Sequence, residues 1–231
     1  AVIAESAADG QTWSGLPIAL TPAAPPAAGN QQKAIDAWAD AVAAAWPHLP
    51  EDPATDLLRR MPPRTLAGPL RHSRDASDDV AAITASVLDL DRSYLAVQGP
   101  PGTGKTYVGS HVVARLVNDH GYRVGVVAQS HAVVENMLER IVAAGVPAER
   151  VAKAPKDDSG AAQPFTVIAK NGVAGFIQEH PDGGFVIGGT AWDFSHEGRV
   201  PRGGLDLLVI DEAGQFSLAS TIAVSLAAPR L

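Results

Sequence analysis

From about residue 79 onward, short uninterrupted apolar runs alternate with segments in which apolar residues recur every three or four positions. The runs Tyr94-Leu95-Ala96-Val97, Arg123-Val124-Gly125-Val126-Val127-Ala128, Phe185-Val186-Ile187 and Leu207-Leu208-Val209-Ile210 predict strands, and a shorter strand is expected around 150–153. Helical spacing predicts helices near 80–88, through Val108, Val112, Val113 and Leu116 to about Asp119, over 132–144, and from about Leu218. Asp182-Gly183-Gly184 reads as a tight turn feeding the strand at Phe185. Strands that are apolar throughout and separated by helices are buried on both faces. The pattern therefore predicts an α/β fold, a parallel sheet with helices on both sides.

The first seventy residues differ in kind. They hold 10 of the 18 prolines, and an Ala-rich helix over 31–46 is their one clear periodic element. The Pro/Ala-rich run 21–30 reads as a linker or surface loop. Between Arg59 and Arg74 lie five arginines and His72, interrupted by Pro62-Pro63. That segment fits a solvated loop, or an arm that touches phosphates. Two regions are expected: a partly irregular 1–75, and an α/β domain over 76–231.

The chemistry concentrates at strand ends. Gln98-Gly99-Pro100-Pro101-Gly102-Thr103-Gly104-Lys105-Thr106 follows an apolar run and opens a helix. This is the phosphate-binding P-loop pattern. In a turn shaped by Pro100 and Pro101, backbone N–H groups of Gly99, Gly102, Thr103 and Gly104 would cradle phosphate oxygens at the helix start. Lys105 would reach the outer phosphates, and the Thr106 hydroxyl would ligate Mg²⁺. The strand ending in Asp211-Glu212 supplies the second half, because carboxylates at the C-terminal edge of a parallel sheet lie where the P-loop lies. Asp211 would hold Mg²⁺, and Glu212 would orient and deprotonate the attacking water. Gln215, three residues on, reads either as a sensor of the γ-phosphate or as a surface residue at a helix start. ATP and Mg²⁺ are the expected cofactors.

Composition narrows the picture without settling the partner. Apolar residues make up 46% of the chain and aromatics 5%, so the core rests on Ala, Val, Leu and Ile. No window of 18 apolar residues occurs and no secretion signal opens the chain, so no membrane span is expected; the need for ATP suggests the cytoplasm. Cysteine is absent, which removes disulfides and thiolate metal sites. The first residue is Ala rather than Met, as in an excised or processed product. The net charge of −7 argues against a broadly basic nucleic-acid binder. Residues 91–231, however, carry 14 acidic and 12 basic side chains, which leaves room for a local phosphate-tracking groove.

These motifs resemble the superfamily 1 helicases, most closely the 1B branch with the up-frameshift helicases and the bacterial proteins that join a RecB-like nuclease to such a motor. Motif I is Gln98 to Thr106, motif II is Asp211-Glu212-Ala213-Gly214-Gln215, and Ala128-Gln129-Ser130-His131-Ala132-Val133-Val134-Glu135-Asn136-Met137-Leu138 is similar to motif Ia. Gly188-Gly189-Thr190-Ala191-Trp192 is similar to the segment preceding motif II. The likeness implies a RecA-like first motor domain over about 79–231, truncated before its last strands, with a single nucleic-acid strand as partner, DNA ahead of RNA. It implies backbone contacts from Ser130, His131 and Thr190. Ser130 also fits a helix N-cap, His131 an exposed loop, and Trp192 a buried anchor in preference to a base-stacking platform. Residues 75–95 lack the Gln by which many relatives read adenine. The resemblance further implies a second RecA-like domain whose arginines complete the ATP site, so weak turnover or none is expected of this stretch by itself. A protein-remodelling AAA-type ATPase is the alternative, since Gly-Pro-Pro-Gly-Thr-Gly-Lys-Thr occurs there too; a silent nucleotide-gated module fits less well with Lys105, Asp211 and Glu212 in place.

Overall fold

The computed structural model describes residues 28–73, 75, 78–100, 102–155 and 162–231. Most of the expected loop 21–30, together with Arg74 and Pro101, lies outside the described residues. The chain forms α1 (Gly29–Ala45), α2 (Pro53–Arg59), α3 (Asp79–Asp89), α4 (Lys105–His120), β1 (Arg123–Val127), α5 (His131–Ala143), β2 (Val151–Lys153), β3 (Thr166–Val167), α6 (Val173–Glu179), β4 (Phe185–Gly189), α7 (Ala191–Phe194), β5 (Leu207–Ile210) and α8 (Leu218–Ser225). The strands make one sheet in the order β3-β2-β4-β1-β5, and every pairing is parallel.

Alternation along the strands divides the core. Val124, Val126, Val151, Val186 and Leu207 join α3, α4 and α5 on one face. Val127, Ala152, Phe185, Ile187 and Leu208 join α6, α7 and α8 on the other. Both faces are therefore covered, as the continuous apolar strands predict. Gly188 lets α5 approach closely: a Cβ there would stand 2.6 Å from Leu138 Cδ1 and 2.7 Å from Val134 Cγ1.

The register aligns the strand ends where the chemistry sits. Val127 pairs with Gly189 and with Ile210, and Lys153 pairs with Gly188. Residues 128–131, 154, 190 and 211 thus leave the sheet along one edge. At the opposite edge Arg123 and Asp206 form a two-pronged pair, with Nη2 to Oδ1 at 2.9 Å and Nε to Oδ2 at 3.0 Å. Burial pushes the Asp206 carboxyl up, but the side-chain and backbone hydrogen bonds from Arg123, with the charges of Arg123 and Arg230, hold it below its ordinary value.

The N-terminal helices cover one flank, α1 against α7 and α8, and α2 against α8. Asp52 caps α2 by accepting from the Thr55 N–H at 2.8 Å, with Pro53 at the first helical position. Buried Asp56 ties α2 to the segments around Arg64 and Ser93, accepting from Arg64 Nη1 at 2.5 Å and from Ser93 Oγ at 2.7 Å.

The expected run Tyr94-Leu95-Ala96-Val97 is corrected: it is extended but not a regular strand. Its ladder consists of Leu231 N–H to Ser93 O at 3.1 Å and Leu95 N–H to Leu231 O at 2.8 Å, while Leu208 N–H bonds Arg230 O at 3.0 Å. Arg230 and Leu231 therefore lie between β5 and the approach to the P-loop. Past Leu95 the backbone has no such neighbour among the described residues, and Ala96, Val97 and Gln98 are exposed. α2, β3, α6 and α7 go beyond the predicted elements. All four are short, and short elements leave little periodicity to read.

Candidate functional site

The P-loop turns into α4 through two residues that need positive φ, Gly102 at +80° and Gly104 at +79°. Gly104 is the N-cap, so α4 begins at Lys105 with its first N–H groups unsatisfied within the helix and aimed at the loop. Thr103 Oγ1 donates to Pro100 O at 2.8 Å and braces the turn. The Lys105 ammonium folds over it, donating to Gly99 O at 2.7 Å and Pro100 O at 3.0 Å. Thr106, the second residue of α4, is half-buried.

Asp211 continues β5, its N–H bonding Val127 O at 2.9 Å. Burial pushes its carboxyl above the ordinary value. The Glu212 backbone N–H, which donates to Asp211 Oδ1 at 3.0 Å, pulls it back, the Glu212 charge pushes it up again, and the Lys105 charge lowers it. The Lys105 charge is thus felt at Asp211, although among the described residues the two make no direct ion pair. Glu212 takes a left-handed backbone, φ +52°, which turns its exposed side chain out of the strand line. Gln215 closes the following turn through its N–H to Glu212 O at 2.8 Å, and its Nε2 stands 3.5 Å from Glu212 Oε2. The structure thus brings Lys105, Asp211, Glu212 and Gln215 to one edge. The hydroxyl of Thr106 and the carboxylate of Asp211 are hard oxygen donors, a set that suits Mg²⁺ with water and phosphate oxygens completing its shell.

The other sequence-predicted residues leave the same edge farther along. Ser130 caps α5, accepting from the Val133 N–H at 3.3 Å, so the N-cap reading is met. His131 is half-buried rather than in an exposed loop, and its Nδ1 lies 2.9 Å from Lys153 Nζ. Thr190 caps α7 in a reciprocal box: Asp193 Oδ2 accepts from Thr190 N–H at 2.8 Å and from its hydroxyl at 2.9 Å. Arg199 Nη1 fixes the other oxygen of Asp193 at 2.7 Å. Trp192 is corrected: it is 42% exposed instead of buried, because the box turns its position on α7 away from the sheet, while Ala191 and Phe194 face inward. Lys153, Glu135 and Asp193 escaped the sequence reading. Thr190-x-x-Asp193 carried a capping-box signal; Lys153 carried none, since its partners lie 18 and 22 positions earlier.

A parallel sheet, a P-loop opening a helix and two acids ending a sheet strand define a helicase-like P-loop ATPase domain. A model of the AAA domain family (AAA_30) matches residues 76–230, and the chain belongs to that family. A stretch of 52 residues is 44% identical to the protein "Regulator of nonsense transcripts 1 homolog" of Drosophila melanogaster. That match takes in 22% of this chain and 4% of the relative's length. Among the described residues no helix is long and apolar enough to cross a membrane, and no cluster of three or more His, Asp or Glu side chains suits a metal ion.

Proposed function

We propose that the chain is the ATP-binding motor domain of an ATP-dependent helicase or translocase acting on a single nucleic-acid strand, with DNA ahead of RNA. The observation that carries this reading is the parallel run of the Ser93–Leu95 backbone, Arg230–Leu231 and β5, which sends the P-loop and the β5 acids out of the same sheet edge. In that pocket Lys105 exchanges the Gly99 and Pro100 carbonyls for phosphate oxygens of ATP, and the first N–H groups of α4 receive the rest. Thr106 and Asp211 would hold Mg²⁺, which would screen charge on the phosphates. Glu212 takes a proton from water, and Gln215 keeps its carboxylate oriented. Ser130, His131 and Thr190 meet the strand's backbone phosphates from the same sheet edge, with little preference for sequence. A second RecA-like domain supplies the arginines that complete turnover, and the cytoplasm is the proposed location.

Nucleic acid as partner is supported by membership of a helicase-like family. The relative's name speaks of transcripts, which favours an RNA strand as the second reading. The test is ATP turnover of the chain joined to a second RecA-like domain, with oligo-dT, with oligo-U and with neither. Stimulation of at least about tenfold by oligo-dT, exceeding that by oligo-U, is expected; an arginine from a second domain typically raises such rates by several orders of magnitude. Indifference to both strands, with stimulation by a protein client, would move the assignment to a protein-remodelling ATPase.

A further inference from the structure

Lys153 ends β2, and its side chain is 1% exposed. A buried ammonium is costly unless each of its N–H groups finds an acceptor. This one has three protons and three partners: His131 Nδ1 at 2.9 Å, Glu135 Oε1 at 2.8 Å and Ala154 O at 3.0 Å. His131 and Glu135 stand one turn apart on the same face of α5, whereas Ala154 leaves β2 beside Lys153 itself. A single cation therefore ties the first turn of α5 to the end of β2. Packing alone does not require it, since an apolar side chain would fill this position without desolvating a charge.

The arrangement dictates the state of the imidazole. An ammonium only donates, so Nδ1 of His131 accepts and the ring carries its proton on Nε2. Immediately before this ring stands Ser130, whose hydroxyl caps the same helix turn. We propose that Lys153 is a positioning residue of the strand-binding edge. It holds His131 in the Nε2–H tautomer and pins the first turn of α5 against β2, so that Ser130 and His131 meet a nucleic-acid strand in one fixed geometry. The tautomer follows from the contacts of buried Lys153 alone; the link to a strand rests on the function proposed above.

Long-range ¹H–¹⁵N NMR of the histidine side chains reads the tautomer directly. The expected spectrum gives His131 a pyridine-like Nδ1 and a pyrrole-like Nε2; the reversed pattern, or two pyrrole-like nitrogens, overturns the proposal. Lys153→Met should abolish this preference and weaken binding of a fluorescein-labelled oligo-dT by about tenfold, the loss of one charge-assisted hydrogen bond. Affinity for an ATP analogue should not change. A wild-type chain that binds no oligonucleotide while showing the expected histidine pattern refutes the nucleic-acid reading. Wild-type binding that Lys153→Met leaves intact refutes the positioning role alone. If Lys153→Met does not fold, the unaltered chain still decides: its Lys153 NH₃⁺ signal should exchange slowly with water and couple to His131 Nδ1, and failure to do so overturns the clamp.

Discussion

The two stretches of the sheet's C-terminal edge are built on different principles. On the nucleotide side, Lys105, Glu212 and Gln215 are exposed and, among the described residues, their side chains bond to close neighbours in the chain. On the far side, Lys153 and the Thr190–Asp193–Arg199 group sit in polar networks that join separate elements or close a helix start. The first set can exchange its partners at little cost to folding, because loop carbonyls released by Lys105 can be rehydrated. The second set is committed, since a buried polar group that loses its partner pays the full desolvation penalty. A site that must take up and release a charged ligand suits the first arrangement; a fixed track suits the second.

Lys105→Ala probes this contrast most strongly. Nucleotide affinity should fall by roughly 10- to 100-fold, the worth of one or two charge-assisted contacts to phosphate. Isothermal titration calorimetry measures that loss, while the thermal midpoint should stay put; a large drop in Tm would mean that Lys105 is structural and would erase the distinction. Asp193→Ala attacks the committed side. It removes the acceptor of Thr190 and of Arg199, and should cost about 2–3 kcal/mol in urea denaturation. An unchanged midpoint there would make the Thr190 box as dispensable as the P-loop contacts.

Asp211→Asn should have the smallest effect, with a sign that sharpens the comparison. Burial first, then the neighbouring Glu212 charge, raises the Asp211 carboxyl above its ordinary value in the folded chain, against the pull of the Glu212 N–H and Lys105. Its contribution is thus most favourable at low pH, where both folded and unfolded chains are protonated, and is lost as pH rises through the raised value. The asparagine variant should melt slightly higher than the wild type at neutral pH, and the gap should close below about pH 4, the ordinary carboxylate range. Differential scanning fluorimetry across that range would show it; a lower Tm for the variant at neutral pH would contradict the reading that burial of the Asp211 charge costs stability.

Much of this was legible in the residues themselves. β1, β4 and β5 are Val-, Ile- and Leu-rich, and α4 buries five apolar side chains and α5 four, so composition and spacing locate them closely. The P-loop and the acids of β5 were readable because their chemistry is local in sequence. β3 has two residues and sits at the sheet edge, too short for a period to emerge. α2 hid within proline-rich surroundings, although Asp52-Pro53 is a helix-start signal. The Lys153 cluster and the exposure of Trp192 were out of reach for another reason: both depend on how α5, β2 and α7 sit on the sheet, which no short stretch encodes.

Arg230 and Leu231 have a metrical consequence. By occupying one lane between β5 and the Ser93–Leu95 backbone, they hold the lysine-bearing and aspartate-bearing halves two strand widths apart, about 10 Å. That gap is commensurate with a hydrated divalent ion and the tail of a triphosphate. Lifting this thin splice out would let the two halves close by one strand width, which makes it the gauge block between them.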